Sequence, residues 1–269
     1  MGLFISGVEH TMGCRRSCAP MRVSVLVPVF QEEATIVELL ERLLRCEVER
    51  AGFEREILVC DDGSTDGTGA ALAAMAAQHA EIRVFGHASN RGKGAALRTL
   101  LEHASGDAVL VQDADLEYEV DDCLPMLERF RQGADAVYGS RFIRAWRPTG
   151  MRLPNLVANR VLTFVANALY GLEITDEATC LKLVRTSLLR QMQLECQGFE
   201  FCPEVTAKLG LMGVRIAEVP VRYRARDVAS GKKVRWPDGV VALTVLLRQR
   251  WSASCVAPPS VTRAPPSPP

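Results

Sequence analysis

Three acidic clusters carry the first chemical signal in this sequence. Gln31-Glu32-Glu33, Asp61-Asp62 and Asp113-Ala114-Asp115 each follow a short apolar run. If those runs are parallel strands of one sheet, the acids meet at the carboxyl ends of the strands, where such sheets bind ligands. Clustered carboxylates repel each other unless a cation joins them, and oxygen ligands suit Mg²⁺ or Mn²⁺ better than zinc. The acids therefore predict a divalent-metal site, with helix caps or solvated turns as the alternative.

Two basic segments complement these acids. Residues 141–160 contain five arginines and no acidic residue, and a second basic run surrounds Arg226 and Lys232. Basic residues opposite an acidic, metal-binding edge are typical of sites for phosphorylated substrates. Solvated surface runs are one alternative. An RNA-binding surface is another, although no aromatic residues for base stacking are interleaved with the basic ones.

Several other motifs lack the context that their chemistry needs. Arg91-Gly92-Lys93-Gly94 resembles a phosphate loop without the P-loop spacing, so we expect Asn90–Gly94 to be a structural loop that leads into a helix. Ser64 and Ser140 lack a histidine–acid setting, which argues against a serine hydrolase. Three histidines are expected on helix ends or loops without functional partners: His79, His87 and His103.

The elements that would position these residues alternate between strand and helix. Apolar runs predict strands near 22–29, 57–60, 82–85, 108–112 and 136–139. Helical spacing predicts helices near 36–44, 68–78, 94–103 and 122–132, and Thr35 with Glu38 has capping-box spacing. This order predicts an α/β fold, with a mostly parallel central sheet and helices on both faces. After Arg141 the rhythm changes, and helices near 155–170, 200–211 and 239–250 with a strand near 214–223 are expected to hold the second substrate.

Size and composition narrow the class of protein. The 269 residues are 48% hydrophobic and 24% charged, with 32 basic and 32 acidic residues, which argues against a dedicated nucleic-acid binder. We expect a loose N-terminal arm over residues 1–20, one domain over 21–251 and a disordered Pro-rich tail over 252–269. No apolar run reaches the roughly 18–20 residues of a membrane span. The nine scattered cysteines predict buried, reduced thiols of a cytosolic protein.

Taken together, the motifs resemble those of the family 2 glycosyltransferases, which have the GT-A nucleotide-sugar-binding fold. The matching stretches are Val27–Glu32, Cys60–Thr68, Asn90–Ala96, Gln112–Glu117 and Gly139–Phe142. Within that family the chain is most similar to polyprenyl-phosphate sugar transferases, the dolichyl-phosphate mannose or glucose synthase type. The subgroup signals are Thr175-Asp176 with Cys180-Leu181-Lys182, Gly198–Phe201, and Glu218–Tyr223 with the basic residues that follow. The resemblance spans Met21 to Trp251, so residues 21–251 are the expected catalytic domain.

The resemblance also implies roles for individual residues. Positions that hold the nucleotide sugar are matched by Pro28, Phe30, Glu32, Asp61, Asp62, Asp113, Arg226 and Lys232. The metal motif, for Mg²⁺ or Mn²⁺, is matched by Asp113, Asp115 and Glu117. The acceptor phosphate would meet Arg141 and Arg152. The residues implied at the reaction centre are Asp115, Arg141 and Asp176.

The implied reaction is a metal-dependent, inverting transfer of sugar from a GDP-mannose or UDP-glucose type donor to a polyprenyl phosphate such as dolichyl or undecaprenyl phosphate. The protein is expected to be cytoplasmic and peripheral at the cytoplasmic face of a membrane, alone or with a membrane-anchoring partner. Two alternatives stay open. The first is a saccharide hydroxyl acceptor, for which Asp176 would act as base. The second is a non-catalytic sugar-nucleotide-binding subunit, favoured by Ala178, where related sequences usually carry Glu. On a helix, Glu177 would point about 100° away from that position.

Overall fold

The structure is a computed structural model that describes residues 21–225 and 236–254. Within these residues a seven-stranded sheet has the strand order β3-β2-β1-β4-β6-β5-β7. The strands are β1 (Met21–Val29), β2 (Phe53–Asp61), β3 (Ile82–Gly86), β4 (Ala108–Val111), β5 (Ala136–Ser140), β6 (Lys182–Arg185) and β7 (Ile216–Pro220). The helices are α1 (Ile36–Arg45), α2 (Thr68–Gln78), α3 (Lys93–His103), α4 (Cys123–Arg131), α5 (Leu153–Tyr170), α6 (Thr186–Gln191), α7 (Phe201–Leu211) and α8 (Trp236–Ser254).

Strands β1 to β4 are parallel and covered by helices on both faces, as the sequence predicts. Along β1, Val25 and Val27 belong to a hydrophobic cluster with α1 and α4, whereas Leu26 packs with α3 on the opposite face. Because both faces of β1 and β4 are buried, these strands are nearly continuous apolar runs instead of alternating ones, whereas β3 at the edge of the sheet is largely exposed. The order β2-β1-β4 also makes neighbours of the three strands that the acidic clusters follow.

Strand β6 is the part of the sheet that the sequence pattern does not predict. It runs antiparallel between β4 and β5, so that Leu183 pairs with Leu110 on one side and Val137 on the other. The strand has only four residues, and it begins with the buried Lys182. A strand that is short and opens on a charged residue gives little periodicity to detect. The sheet is otherwise parallel, in agreement with the predicted fold class.

Two local predictions are wrong. The Thr35 hydroxyl donates to the Glu32 carboxylate (2.7 Å) instead of capping α1, and Glu38 pairs with Arg42, so the predicted capping box does not form. Strand β7 is shorter than predicted, because the chain leaves the sheet after Pro220. Beyond that point Tyr223 forms an isolated bridge with Tyr118, next to the predicted metal motif.

The end of the last helix differs from the predicted start of the Pro-rich tail. Helix α8 continues to Ser254, three residues into the predicted tail, since no proline or glycine interrupts residues 252–254. The predicted arm over 1–20 and the rest of the tail lie outside the described residues.

Helices α5, α7 and α8 form a separate layer at one side of the sheet. Their contact is built from Leu162 and Ala166 of α5, Ala207 of α7, and Ala242 and Leu246 of α8. Alanines at the contact let the helix axes approach closely. Among the helices in the described ranges, none is both long and apolar enough to cross a membrane. The six cysteines in those ranges are buried free thiols, as predicted.

Candidate active site

A cavity of about 530 Å³ opens at the carboxyl ends of β1 and β4 and continues between α5, α7 and α8. Its walls come from both halves of the chain, so one cavity contacts the acidic edge of the sheet and the helical layer. Eight of the predicted site residues line it: Pro28, Phe30, Glu32, Asp62, Asp113, Asp115, Glu117 and Arg141.

The loops after β1 and β2 are tied together at the edge of the sheet. The Gln31 carbonyl oxygen of the side chain accepts from the backbone amides of Thr65 and Asp66 (3.0 and 3.2 Å). The Ser64 hydroxyl accepts from the Gln31 amide, and the Asp61 carboxylate accepts from the Ser64 amide (both 2.9 Å). Asp61, predicted to contact the nucleotide, therefore shapes this loop and lies outside the cavity lining.

Asp62 holds the loop before α3. Its carboxylate accepts from the backbone amides of Arg91 (2.9 Å) and Gly92 (2.7 Å). The same carboxylate is 2.6 Å from Nδ1 of His87, whose Nε2 lies 2.9 Å from the Thr99 hydroxyl. The expectation that His87 lacks partners is wrong. Asp62 lines the cavity as predicted for a nucleotide contact, but its described bonds position the Arg91–Gly92 backbone.

Lys93 follows that loop as the first residue of α3, whereas the sequence pattern predicts a structural loop over Asn90–Gly94. Its Nζ lies 2.5 Å from Asp113 Oδ1, and both side chains are largely buried. Burial alone lowers the pKa of Lys93, but the adjacent Asp113 carboxylate outweighs it and raises the pKa above its ordinary value. Lys93 is thus a charged cavity residue that the phosphate-loop likeness of Arg91–Gly94 could have indicated.

The three residues of the predicted metal motif line the cavity but are engaged differently. Asp113 pairs with Lys93, Asp115 Oδ1 accepts from the Glu117 amide (3.1 Å), and Glu117 accepts from the Tyr223 hydroxyl (2.8 Å). In the ranges that the structure describes, no three acidic, histidine or cysteine side chains converge as a ready metal cluster. Mg²⁺ commonly takes one or two carboxylates and completes its shell with substrate phosphates and water. Asp113 and Asp115 fit that smaller ligand set.

Arg141 and Asp176 form a buried pair. Nε and Nη2 of Arg141 each lie 2.7 Å from one Asp176 carboxylate oxygen, and the Arg141 amide adds a third bond (3.0 Å). Asp176 is 0% exposed and Arg141 is 8% exposed. Burial lowers the pKa of Arg141, but Asp176 outweighs it and raises the pKa. Arg141 lines the cavity, and Asp176 lies behind it without lining the cavity.

Glu218 on β7 holds the backbone segment that carries Asp176. Its carboxylate accepts from the amides of Thr175 (2.9 Å) and Asp176 (3.2 Å) and from the Thr175 hydroxyl (2.9 Å). Burial raises the pKa of Glu218. The Arg141 guanidinium also lies 5.1 Å from the centre of the Tyr223 ring. The sequence pattern identifies Glu218 only as part of a subgroup motif and does not predict its contact with the Thr175–Asp176 turn.

Three further basic residues are predicted to meet phosphates. Arg152 is exposed at the start of α5 and does not line the cavity. Arg226 and Lys232 lie outside the described residues. Of the predicted basic residues that the structure describes, Arg141 lines the cavity and Arg152 does not.

One face of α5 presents large apolar side chains to the outside. Leu153, Val157, Val161 and Phe164 are 48–72% exposed, and Trp146 in the preceding loop is 77% exposed. Their spacing places the four helical residues on one stripe. We call these five residues the α5 apolar face. The residues of α5 that line the cavity mostly point away from this stripe and include Pro154, Asn155, Ala158 and Asn159.

Comparison with known proteins connects this site to an enzyme family. Residues 24–193 match the family described as Glycosyl transferase family 2. The chain is 30% identical over 243 residues to the undecaprenyl-phosphate mannosyltransferase of Micrococcus luteus, covering 86% of this chain and 94% of that protein. It is 31% identical over 212 residues to glycosyltransferase AglJ of Haloferax volcanii, covering 78% and 66% of the two chains. Several curated relatives are longer, so the chain spans less than two thirds of their length.

Solved structures support the fold. Glucosyl-3-phosphoglycerate synthase of Mycobacterium tuberculosis, crystallised with Mn²⁺ and UDP-glucose, superposes with a TM-score of 0.61 at 22% identity, over 90% of this chain and 82% of that one. Mannosyltransferase PcManGT of Pyrobaculum calidifontis, with GDP-mannose and Mn²⁺, gives a TM-score of 0.55 at 18% identity, over 87% and 74%. These neighbours are GT-A glycosyltransferases, which confirms the predicted fold class. The chain is a glycosyltransferase and belongs to glycosyl transferase family 2.

Proposed function

We propose that this chain transfers a sugar from a nucleoside diphosphate sugar to a polyprenyl phosphate at a membrane surface. Relatives named for this chemistry include the Micrococcus luteus enzyme and the dodecaprenyl-phosphate galacturonate synthase of Rhizobium johnstonii, which is 27% identical over 222 residues. The observation that carries the proposal is one cavity that contains Asp113, Asp115 and Arg141 and is bordered by α5. It offers adjoining sites for a diphosphate and for an anionic acceptor.

The donor would bind at the edge of the sheet, where Pro28, Phe30 and Glu32 line the cavity. Asp113 and Asp115 would hold a divalent cation, Mg²⁺ or Mn²⁺, together with the diphosphate oxygens. Such a cation neutralises the charge that develops on the leaving diphosphate. Lys93 lies against Asp113 and is placed to contribute positive charge at the same point.

The acceptor end of the cavity favours a phosphate over a saccharide hydroxyl. A phosphate monoester is already anionic near neutral pH, with a second pKa of about 6, so it needs positioning more than deprotonation. Arg141 lines the cavity and supplies a guanidinium for this purpose. A hydroxyl acceptor would need a base, and Asp176 is buried with both carboxylate oxygens bonded to Arg141. Direct attack by the phosphate is a single displacement and inverts the anomeric carbon.

The α5 apolar face would place this acceptor end against the lipid bilayer. Insertion of its exposed side chains into the interface removes apolar area from water. The loop before α5 contains Arg144 and Arg147, and Arg152 directly precedes the helix. These arginines can contact anionic headgroups. This arrangement supports peripheral membrane association and a short path for a lipid-linked phosphate. An additional membrane-anchoring partner stays a prediction.

The test is a transfer assay with the full chain, Mg²⁺ or Mn²⁺, a panel of labelled UDP- and GDP-sugars, and a short polyprenyl phosphate. We expect label from one donor to enter the organic phase, with inversion at the anomeric carbon. Metal-dependent release of nucleoside diphosphate without lipid label would favour the saccharide-acceptor alternative. Donor binding with neither release nor transfer would favour the non-catalytic subunit and would overturn the proposal.

A further inference from the structure

Glu177 is a buried carboxyl group without a described role. It lies in the turn between α5 and β6, is 0% exposed and lines the cavity. Its backbone is fixed, because the amide bonds to the Thr163 hydroxyl (3.0 Å) and the carbonyl accepts from Lys182 Nζ (2.8 Å). Neither oxygen of its side chain has a hydrogen-bond partner among the described residues. A buried polar group in that state costs free energy until something binds it.

The surroundings favour the neutral form of this carboxyl. Burial raises the pKa of Glu177, the Lys182 ammonium opposes the rise, and the Asp176 charge adds to it. The Thr206 hydroxyl on α7 is close enough to lower the pKa slightly but lies outside hydrogen-bond geometry and bonds instead to Tyr138 (2.9 Å). The titratable and charged groups that face Glu177 from the packed elements are Tyr138, Arg141, Asp176, Lys182 and Cys202.

Glu177 lies next to the Arg141–Asp176 pair at the acceptor end of the cavity. Its neighbour Asp176 bonds to Arg141, and Ala178 lines the same cavity. Asp113 and Asp115, the predicted metal ligands, line the same cavity. The Glu177 segment is a turn and not a helix, so the expected rotation away from position 178 does not apply. Glu177 and Ala178 both reach the cavity.

We propose that Glu177 binds the sugar of the donor, by a hydrogen bond between its carboxyl group and a sugar hydroxyl. A neutral carboxyl offers one donor and acceptor oxygens, and a hydroxyl has the same combination. A phosphate group offers acceptors and negative charge only, so it matches less of what Glu177 leaves unpaired. The proposal rests on the proposed function only in taking a nucleotide sugar as the donor. It makes Glu177 a determinant of which sugar is accepted.

The test compares two ligands on the full-length Glu177→Leu variant by calorimetry with Mn²⁺. The ligands are the nucleotide sugar that the wild type binds and the matching nucleoside diphosphate, which lacks the sugar. We expect at least about 10-fold weaker binding of the nucleotide sugar and unchanged binding of the diphosphate. The melting temperature should stay equal or rise, because leucine removes an unpaired buried carboxyl. Equal affinity for the sugar nucleotide, or an equal loss for both ligands, would overturn the proposal.

Glu177→Gln provides a second test, which stays informative if the leucine variant folds poorly. Glutamine keeps a donor and an acceptor in the same shape but does not ionise. We expect it to bind the nucleotide sugar as the wild type does at mildly acidic pH. As the pH rises, wild-type binding should weaken while Glu177→Gln stays constant; parallel profiles would contradict the assignment. Neither arm uses an acceptor, so failure of transfer to polyprenyl phosphate and failure of this inference are distinguishable.

Discussion

Asp113 and Arg141 line the same cavity, but the molecule holds their charges in different ways. Around the first, at what we call the rim end (Asp61, Asp62, Asp113 and Asp115), carboxylates are held by backbone amides of nearby loops or by Lys93. Around the second, at the buried end (Arg141, Asp176 and Glu218), Arg141 and Asp176 pair with each other away from water, and Glu218 holds the Thr175–Asp176 backbone.

This difference separates binding from preorganisation. At the rim end, Asp113 and Asp115 can exchange their partners for a metal and a diphosphate with little change in the fold, whereas Asp61 and Asp62 hold the backbone of nearby loops. The Arg141–Asp176 pair cannot be separated without leaving a buried charge uncompensated. It therefore fixes the direction of the guanidinium before any acceptor arrives, which is the condition for effective electrostatic stabilisation. The following predictions test the two ends, beginning with the largest effect.

Loss of Asp115 should abolish chemistry and spare the fold. We expect Asp115→Asn to lower sugar transfer at least about 1000-fold, because the cation that would neutralise the leaving diphosphate would lose a protein ligand. Turnover with each donor is the measurement, and the melting curve is the check on folding. Asp121→Asn is the matched control, since Asp121 is exposed in the turn after the metal motif. Turnover by Asp115→Asn within a few-fold of the control would remove the metal assignment.

Breaking the buried pair should act on stability. We expect Asp176→Asn to lower the free energy of unfolding by about 3 kcal/mol, since Arg141 would keep its charge without a buried counterion. Glu41→Gln breaks the exposed Arg45–Glu41 pair (2.8 Å) and should cost less than about 0.5 kcal/mol. Denaturant titration of both variants measures the contrast. Similar losses for the two pairs would erase the distinction between the rim end and the buried end.

Removal of Lys93 tests whether Asp113 at the rim end can exchange its partner for a metal. In Lys93→Met the Asp113 carboxylate loses its cation, so we expect binding of Mn²⁺ alone to tighten about 10-fold. Lys208→Met is the control, because Lys208–Glu204 (2.6 Å) is another largely buried ion pair that lies outside the cavity lining. Titration with Mn²⁺ in the absence of nucleotide gives the comparison. Unchanged Mn²⁺ affinity in Lys93→Met would show that Asp113 does not bind the metal.

The smallest effect concerns the α5 apolar face. We expect Val161→Ser to weaken sedimentation with anionic lipid vesicles about 5-fold, because less apolar area enters the interface. Val37→Ser makes the same change at an exposed valine of α1 and should have no effect. Equal vesicle binding by the two variants would mean that another surface faces the membrane.

Much of the rim end could be predicted from the sequence because its geometry is local. Buried strands appear in a sequence as continuous apolar runs, and the carboxyl ends of parallel strands must meet at one edge of the sheet. The sequence thus predicts that Glu32, Asp62 and Asp113 lie at one edge of the sheet, and all three line the cavity. The sequence does not indicate the Lys93–Asp113 pair, because the loop geometry depends on Asp62 and on His87, which follows β3.

The buried end was less accessible to prediction because it is assembled over long distances along the chain. Asp176 and Arg141 are 35 residues apart, and Glu218 reaches the same turn from 43 residues beyond Thr175. The resemblance placed Arg141 and Asp176 near the reaction centre but gave them separate tasks, whereas the structure bonds them together. Spacing alone gives no sign that two opposite charges are buried as one unit.

The late position of β6 in the chain has a consequence for synthesis. Its two hydrogen-bonding neighbours, β4 and β5, are complete by Ser140, but β6 does not begin until Lys182. A chain emerging from the ribosome therefore holds an open edge of β4 and an unpaired β5 until α5 and the Asp176 turn have been made. Such edges are templates for pairing with other chains. We expect nascent chains to depend on chaperones over this interval, and sheet closure to be the slow step of refolding.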